Sequence, residues 1–183
     1  MNLTGAEDQQ YAKLPELPSA PPYPCPFLTD EEIVTYLVPL YSRGWSVQPS
    51  DPGPKKKPAP ELVKQFVVSG PEALEALHRH IGDITQSENH HAELTTTTAP
   101  MSLVVKVHTH SGLRPASQPD EPRRARVQPG ITLRDVRFAY LLEERFEAYM
   151  SREGGTGASA VSSATGSEGQ PRTARDLEAR RYV

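Results

Sequence analysis

One cysteine among 183 residues leaves no partner for an internal disulfide and too few thiolates for a cysteine-built zinc site, which fits a reducing compartment. Apolar residues are also few. At 36% they are too sparse for a chain that is globular throughout, so part of the sequence is expected to be tails and loops. No apolar run approaches the roughly 20 residues needed to cross a bilayer, so no membrane partner is expected. A formal net charge of −3 leaves no basic excess for phosphates, which argues against a general nucleic-acid binder. The first residues include Glu7 and Asp8 but no early arginine and no apolar core, so neither a secretory nor a transit peptide is expected. The expectation is a soluble intracellular protein, cytoplasmic with the nucleus left open, and with room for one domain of ordinary size.

Proline is what the chain has in plenty: nineteen, with twelve glycines, unevenly spread. Residues 1–27 hold Pro15, Pro18, Pro21, Pro22, Pro24 and Pro26 without sustained periodicity and read as a disordered arm. Order begins at Leu28. Thr29 and Glu32 have the spacing of a capping box, and Ile33, Tyr36, Leu37 and Leu40 then follow helical steps toward Gly44, a natural stop. Pro39 should kink this helix or end it early. Trp45 and Val47 suggest a short strand. The prolines of 49–60 exclude regular structure and mark a loop insertion. Leu62 to Val68 is apolar and β-branched around Phe66, a strand. Pro71 opens a second helix, with Leu74, Leu77, Ile81 and Ile84 as its buried stripe.

Thr95 to Thr98 reads as a weak strand. Leu103, Val105 and Val107 alternate with Lys106, His108 and His110, the period of a half-buried strand. Residues 114–130 read as a second loop insertion, and Thr132 to about Met150 as the last helix, with Val136, Ala139, Leu142 and Phe146 inward. Residues 151–183, rich in Gly and Ser from Gly154 to Gly169, read as a disordered tail. The order α-β-β-α-β-β-α implies an α+β domain over 28–150: a four-stranded antiparallel sheet with helices packed on one face.

Six histidines carry what chemistry the sequence offers. His78 and His80 sit in the second helix beside Glu72, Glu75 and Arg79, and read as solvated. The other four form two groups. His90-His91 follows the second helix directly, and His108-Thr109-His110 ends the best strand. Residues two apart on a strand project together, so His108 and His110 should share the face opposite Leu103, Val105 and Val107. If the His90-His91 turn folds over that face, three or four imidazoles converge in one cleft. One ring can then act as acid and another as base near neutral pH.

Several blocks resemble the pterin-4a-carbinolamine dehydratases. They are Leu28-Thr29-Asp30-Glu31-Glu32-Ile33, Gly44-Trp45, Phe66 ahead of the second helix, Asn89-His90-His91, Thr109-His110, and Gly130-Ile131-Thr132-Leu133-Arg134-Asp135. They stand in the family's order and cover about residues 28 to 150. The family's His-His-Pro with a following aromatic is here His91-Ala92-Glu93-Leu94, and Gln86 stands where a carboxylate commonly does. The resemblance implies a metal-free, cofactor-free lyase of tetrahydrobiopterin recycling. A histidinium protonates the hydroxyl leaving C4a of the pterin while a neutral imidazole takes the proton of the neighbouring ring nitrogen. By position His90 and His110 match the proton-transfer pair and His91 the substrate-orienting partner. Asp135, Asn89 and Thr109 match substrate-binding positions, although Thr132-x-x-Asp135 is also a capping box. The family forms homodimers and homotetramers.

Two other classes stay open. His-x-His with His-His could bind zinc or iron. A non-catalytic interaction protein of the same fold is the other, since some animal relatives are dimerisation partners of a transcription factor. Lys55-Lys56-Lys57 and Arg123-Arg124-Ala125-Arg126 read as solvated loops.

Overall fold

The computed structural model describes residues 13–51 and 58–153. The first helix starts as α1 (Asp30–Glu32), widens into a π-helical turn over Ile33–Leu37, and closes as α2 (Val38–Tyr41). Thr29 Oγ1 accepts from Glu32 N at 3.2 Å while Thr29 N donates to Glu32 Oε2 at 2.8 Å, so the capping box forms as expected. Pro39 explains the widened turn. It has no N–H for the Thr35 carbonyl and its ring crowds that carbonyl, and the chain absorbs both by bonding Val38 N five residues back, to Ile33 O. Gly44, at φ +84°, ends the helix in the left-handed conformation that glycine adopts without strain.

Four strands make the main sheet: β1 (Ser46–Pro49), β2 (Pro60–Val67), β3 (Glu93–Thr98) and β4 (Met101–Val107), in the order β1-β2-β4-β3 with antiparallel neighbours. Pro49 and Pro60 are paired strand ends, which corrects the expected loop at its two limits. A proline at the mouth of a hairpin gives up no ladder bond. The side chains of Leu62, Phe66, Leu103, Val105 and Val107 form one face and are almost fully buried. Against them pack α3 (Pro71–Glu88), through Leu77, Ile81 and Ile84, and α4 (Leu133–Glu153), through Val136, Phe138, Ala139 and Leu142. The fold is therefore α+β, with an antiparallel four-stranded sheet carrying its helices on one face. No described helix is long and apolar enough to cross a membrane.

Two further expectations change. Residues 114–130 are not wholly a loop: β5 (Thr109–Leu113) pairs with β6 (Val127–Gly130), a 3-10 turn (Arg123–Arg126) leading into the latter. Nor is the proline-rich arm disordered where it is described, from residue 13 to 27. Leu113 N donates to Cys25 O at 2.7 Å, Phe27 N to Leu113 O at 3.0 Å, and Leu28 N to Ile131 O at 3.4 Å, so the arm adds itself to this small sheet. Cys25 is 1% exposed. The Phe27 ring fills the space that side chains would take at Gly112 and Gly130, where an added Cβ would collide with it. Local composition misses this because the prolines deny the arm a structure of its own, whereas the pairing edge is supplied from afar. Residues 1–12, and the tail beyond 153, lie outside the described residues.

Near the end of the helical layer Glu143, 3% exposed, accepts from Trp45 Nε1 at 2.7 Å and from Lys64 Nζ at 2.5 Å, with Arg43 Nη1 3.7 Å away. The Lys64 ammonium lies 4.5 Å from the centre of the Phe66 ring. Burial pulls its pKa down, and Glu143 opposes the shift.

Candidate functional site

The chain leaves α3 through Asn89, at φ 46° and ψ 46°. Asparagine tolerates the left-handed region better than most residues and serves here where a glycine would be usual. Arg134 Nη2 donates to the Glu88 and Asn89 carbonyls at 2.7 and 2.8 Å. Arg137 forks onto the Glu88 carboxylate at 2.9 and 2.7 Å and also bonds Pro18 O of the arm. This fork holds Glu88 below the usual carboxylate range and raises Arg137 in turn. Two arginines of α4 thus hold the end of α3, and with it the His90-His91 turn.

The two histidines of that turn go different ways. His90 is 9% exposed, and its Nε2 lies 2.7 Å from Asp135 Oδ1, its ring edge-on to Phe138 with centroids 6.2 Å apart. Asp135 is wholly buried. Its Oδ2 accepts from Thr132 N at 2.7 Å and from the Thr109 hydroxyl at 3.0 Å, and the Thr109 and Thr132 hydroxyls stand 2.8 Å apart. Every carboxyl oxygen is occupied, as burial requires. One oxygen of Asp135 thus closes half of the expected capping box, the Thr132 hydroxyl accepting from Arg134 N instead of Asp135 N, and the other oxygen meets the His90 imidazole.

His91 and His110 are exposed and face each other, Nε2 to Nε2, at 3.3 Å. The His108 ring stands edge-on to His110 at 4.5 Å between centroids, and its Nδ1 lies 3.2 Å from Glu61 Oε1. Burial first, then the neighbouring His110, pull His108 below the usual imidazole range, and burial pushes the Glu61 carboxyl up. Both shifts favour the neutral forms, which weakens this contact as an ion pair. As expected, His108 and His110 project together. The chain nevertheless changes sheets between them, β4 ending at Val107 and β5 starting at Thr109.

Of the four imidazoles considered, three come together: His91, His108 and His110 form an open cluster, whereas His90 belongs to a buried set with Asp135, Thr109 and Thr132. Substrate contact by the side chains of Asp135 and Thr109 is corrected: the first is fully buried, the second is 6% exposed, and both are engaged by one another. Asn89 terminates a helix, its side chain exposed. Sequence reasoning missed Glu61, Glu88, Arg134 and Arg137, since a glutamate among prolines or an arginine in a helix's first turn looks like surface until its partner is placed. His78 is half-buried, and His80 stands edge-on to Tyr149 at 6.4 Å. Among the described residues no three His, Cys, Asp or Glu side chains are placed to hold a metal ion together. No protein-family model matches the chain, and no curated protein matches it either.

Proposed function

We propose that this chain is a pterin-4a-carbinolamine dehydratase, a hydro-lyase acting on 4a-hydroxytetrahydrobiopterin, with His91 and His110 as its acid–base pair. The observation that carries the reading is the 3.3 Å approach of two exposed imidazole nitrogens at the end of an α+β sheet whose element order and sequence blocks resemble that family. The bicyclic substrate carries its hydroxyl and the ring N–H on adjacent atoms, and two imidazoles that can each reach one of them complement it.

The chemistry is a balanced proton exchange. One ring, protonated, gives its proton to the departing oxygen as the C4a–O bond breaks. The other, neutral, takes the proton of the ring nitrogen as the C–N double bond forms. Quinonoid dihydropterin and water leave, and the two rings have swapped charge states. Their direct contact then returns the proton from base to acid and resets the site. Each transfer is a step worth about 10²- to 10⁴-fold. His90, which resembles one of the family's proton-transfer residues, acts here through position: tied to Asp135, it anchors the turn that presents His91. The same resemblance carries a homodimer or homotetramer, a role in tetrahydrobiopterin recycling, and a cytoplasmic or nuclear location.

The test is dehydration of freshly made 4a-hydroxytetrahydropterin followed by stopped flow. Acceleration over the spontaneous reaction, lost in His91→Ala and in His110→Ala, is the expected result. A parent protein with no acceleration retires the reading.

A further inference from the structure

His91 and His110 face each other across a gap of the size that one metal ion fills. Their Nε2 atoms stand 3.3 Å apart, and their ring centroids 5.3 Å apart with 40° between the planes. Zinc holds imidazole nitrogens at about 2.0–2.1 Å in a tetrahedral array, so two nitrogens on one zinc lie about 3.3–3.4 Å apart. Extending the same two bonds to the middle of each ring sets the centroids about 5.2 Å apart. Both observed distances agree. A straight N–H···N bond with the same nitrogen separation would hold the centroids farther apart, at about 5.6 Å. The rings therefore converge on a point beside the line between their nitrogens. The square arrangement that copper(II) prefers would bring neighbouring nitrogens to about 2.8–2.9 Å, so the spacing selects a tetrahedral ion. The two donors also come from separately braced elements. His91 follows the turn that Arg134 holds through the Glu88 and Asn89 carbonyls, and His110 lies in β5, next to the Thr109–Gly130 pairing. Both rings are exposed, which gives an ion its entry path.

We propose that His91 and His110 form a two-histidine site for zinc, and that zinc bound there switches the acid–base pair off. In the bound state both rings are neutral, each with its hydrogen on Nδ1 and its Nε2 lone pair given to the ion. A pair so occupied can neither protonate a departing oxygen nor take the proton of a ring nitrogen. The inhibition rests on the assignment of His91 and His110 as the acid–base pair, whereas the binding does not. Among the described residues no third His, Cys, Asp or Glu completes the ligand set. Two protein ligands leave two positions to water. The site is therefore weak and reversible, unlike a structural zinc site, in which all four ligands come from the protein. Magnesium and calcium are excluded by chemistry, because these hard cations take oxygen ligands in preference to imidazole.

The experiment is a calorimetric titration of the full-length chain with zinc chloride at about pH 7.5, where imidazoles are free to bind metal, alongside NMR of the imidazole nitrogens. A single equivalent should bind, moving the Nε2 signals of His91 and His110 together. The signal of His80, which stands against Tyr149, should stay in place. His91→Ala and His110→Ala should each weaken zinc binding by at least the about 10- to 100-fold that losing an outer-shell partner costs, and His80→Ala should stay within a factor of about two. Magnesium chloride should give no heat of binding. A parent protein that binds no zinc overturns the proposal, and that result needs no variant to fold. Zinc binding that survives in both alanine variants overturns it too, because the ion then sits elsewhere. The pterin assay separates the two claims. If the parent dehydrates the pterin, zinc should suppress turnover as the site fills, and a chelator should restore it. Zinc bound by a parent that performs no dehydration leaves the metal site standing and removes the dehydratase reading, and the inhibition with it. An active parent whose turnover bound zinc leaves untouched removes the switch alone.

Discussion

His90 Nε2 stands 2.7 Å from Asp135 Oδ1, while the very next residue, His91, turns outward to meet His110. Adjacent histidines thus serve opposite needs. One closes a buried polar network that α4 requires at its start, and the other stays open to solvent. The division sets different consequences for losing each ring.

Removing His91 or His110 should leave the fold intact and cut dehydration by about 10²- to 10⁴-fold, the usual worth of one proton-transfer group. His78→Ala, away from the cluster, should stay within a factor of about two. Thermal midpoints and turnover measured together on the three variants check this.

His90→Ala should behave differently. It leaves Asp135 Oδ1 buried without its partner, so stability should fall by about 1–3 kcal/mol, beyond what His91→Ala costs. Denaturant midpoints decide. A variant as stable as the parent would show that the His90–Asp135 bond does not anchor the turn.

The arm is expected to matter to stability wherever it is described, because its backbone pairs with Leu113 and Ile131. Phe27→Ala empties the ring's place over Gly112 and Gly130 and should cost roughly 1–3 kcal/mol, the low side of a buried Phe truncation because Phe27 is half-buried. Gly130→Ala should be comparable, since the new Cβ would collide with that ring. Chemical denaturation of both variants measures it.

Glu143→Ala should be among the most destabilising substitutions, at about 3–5 kcal/mol, because it removes the carboxylate paired with the largely buried Lys64 ammonium. Glu143→Ala combined with Lys64→Met should recover part of the loss, as unfolding of single and double variants would reveal.

Stability should also carry a signature of His108. Burial lowers its pKa from the ordinary 6.5, so below that pH the unfolded chain binds the proton more readily. Stability should therefore fall as pH drops through 6.5 toward the folded-state value, and this contribution should be flat above it. Glu61 works in the opposite sense at lower pH. Raised above 4.5 by burial, it restores stability as pH falls from its folded-state value toward 4.5. Urea midpoints of parent and His108→Gln, taken at about pH 7.5 and about pH 5.5, should converge at the higher pH and differ in slope below it.

Periodicity and punctuation were enough to place the helices and the four strands of the main sheet, because those signals are local: a capping box at Thr29, a stripe from Leu77 to Ile84, an alternation from Leu103 to Val107. The clustering of His91, His108 and His110 was also legible in part, since side chains two apart on an extended chain must project together. What the sequence could not decide is which way each residue of the His90-His91 turn points. That depends on Arg134 and Arg137 holding the end of α3 and on Asp135 claiming the inner ring, contacts made across more than forty residues. The same holds for the arm, whose prolines exclude local structure but accept pairing with β5 and the Ile131 carbonyl, and for Glu61, an ordinary acid until strand register sets it beside His108. Local propensities act on neighbours along the chain, whereas burial and long-range pairing choose among the side chains that those propensities leave equivalent.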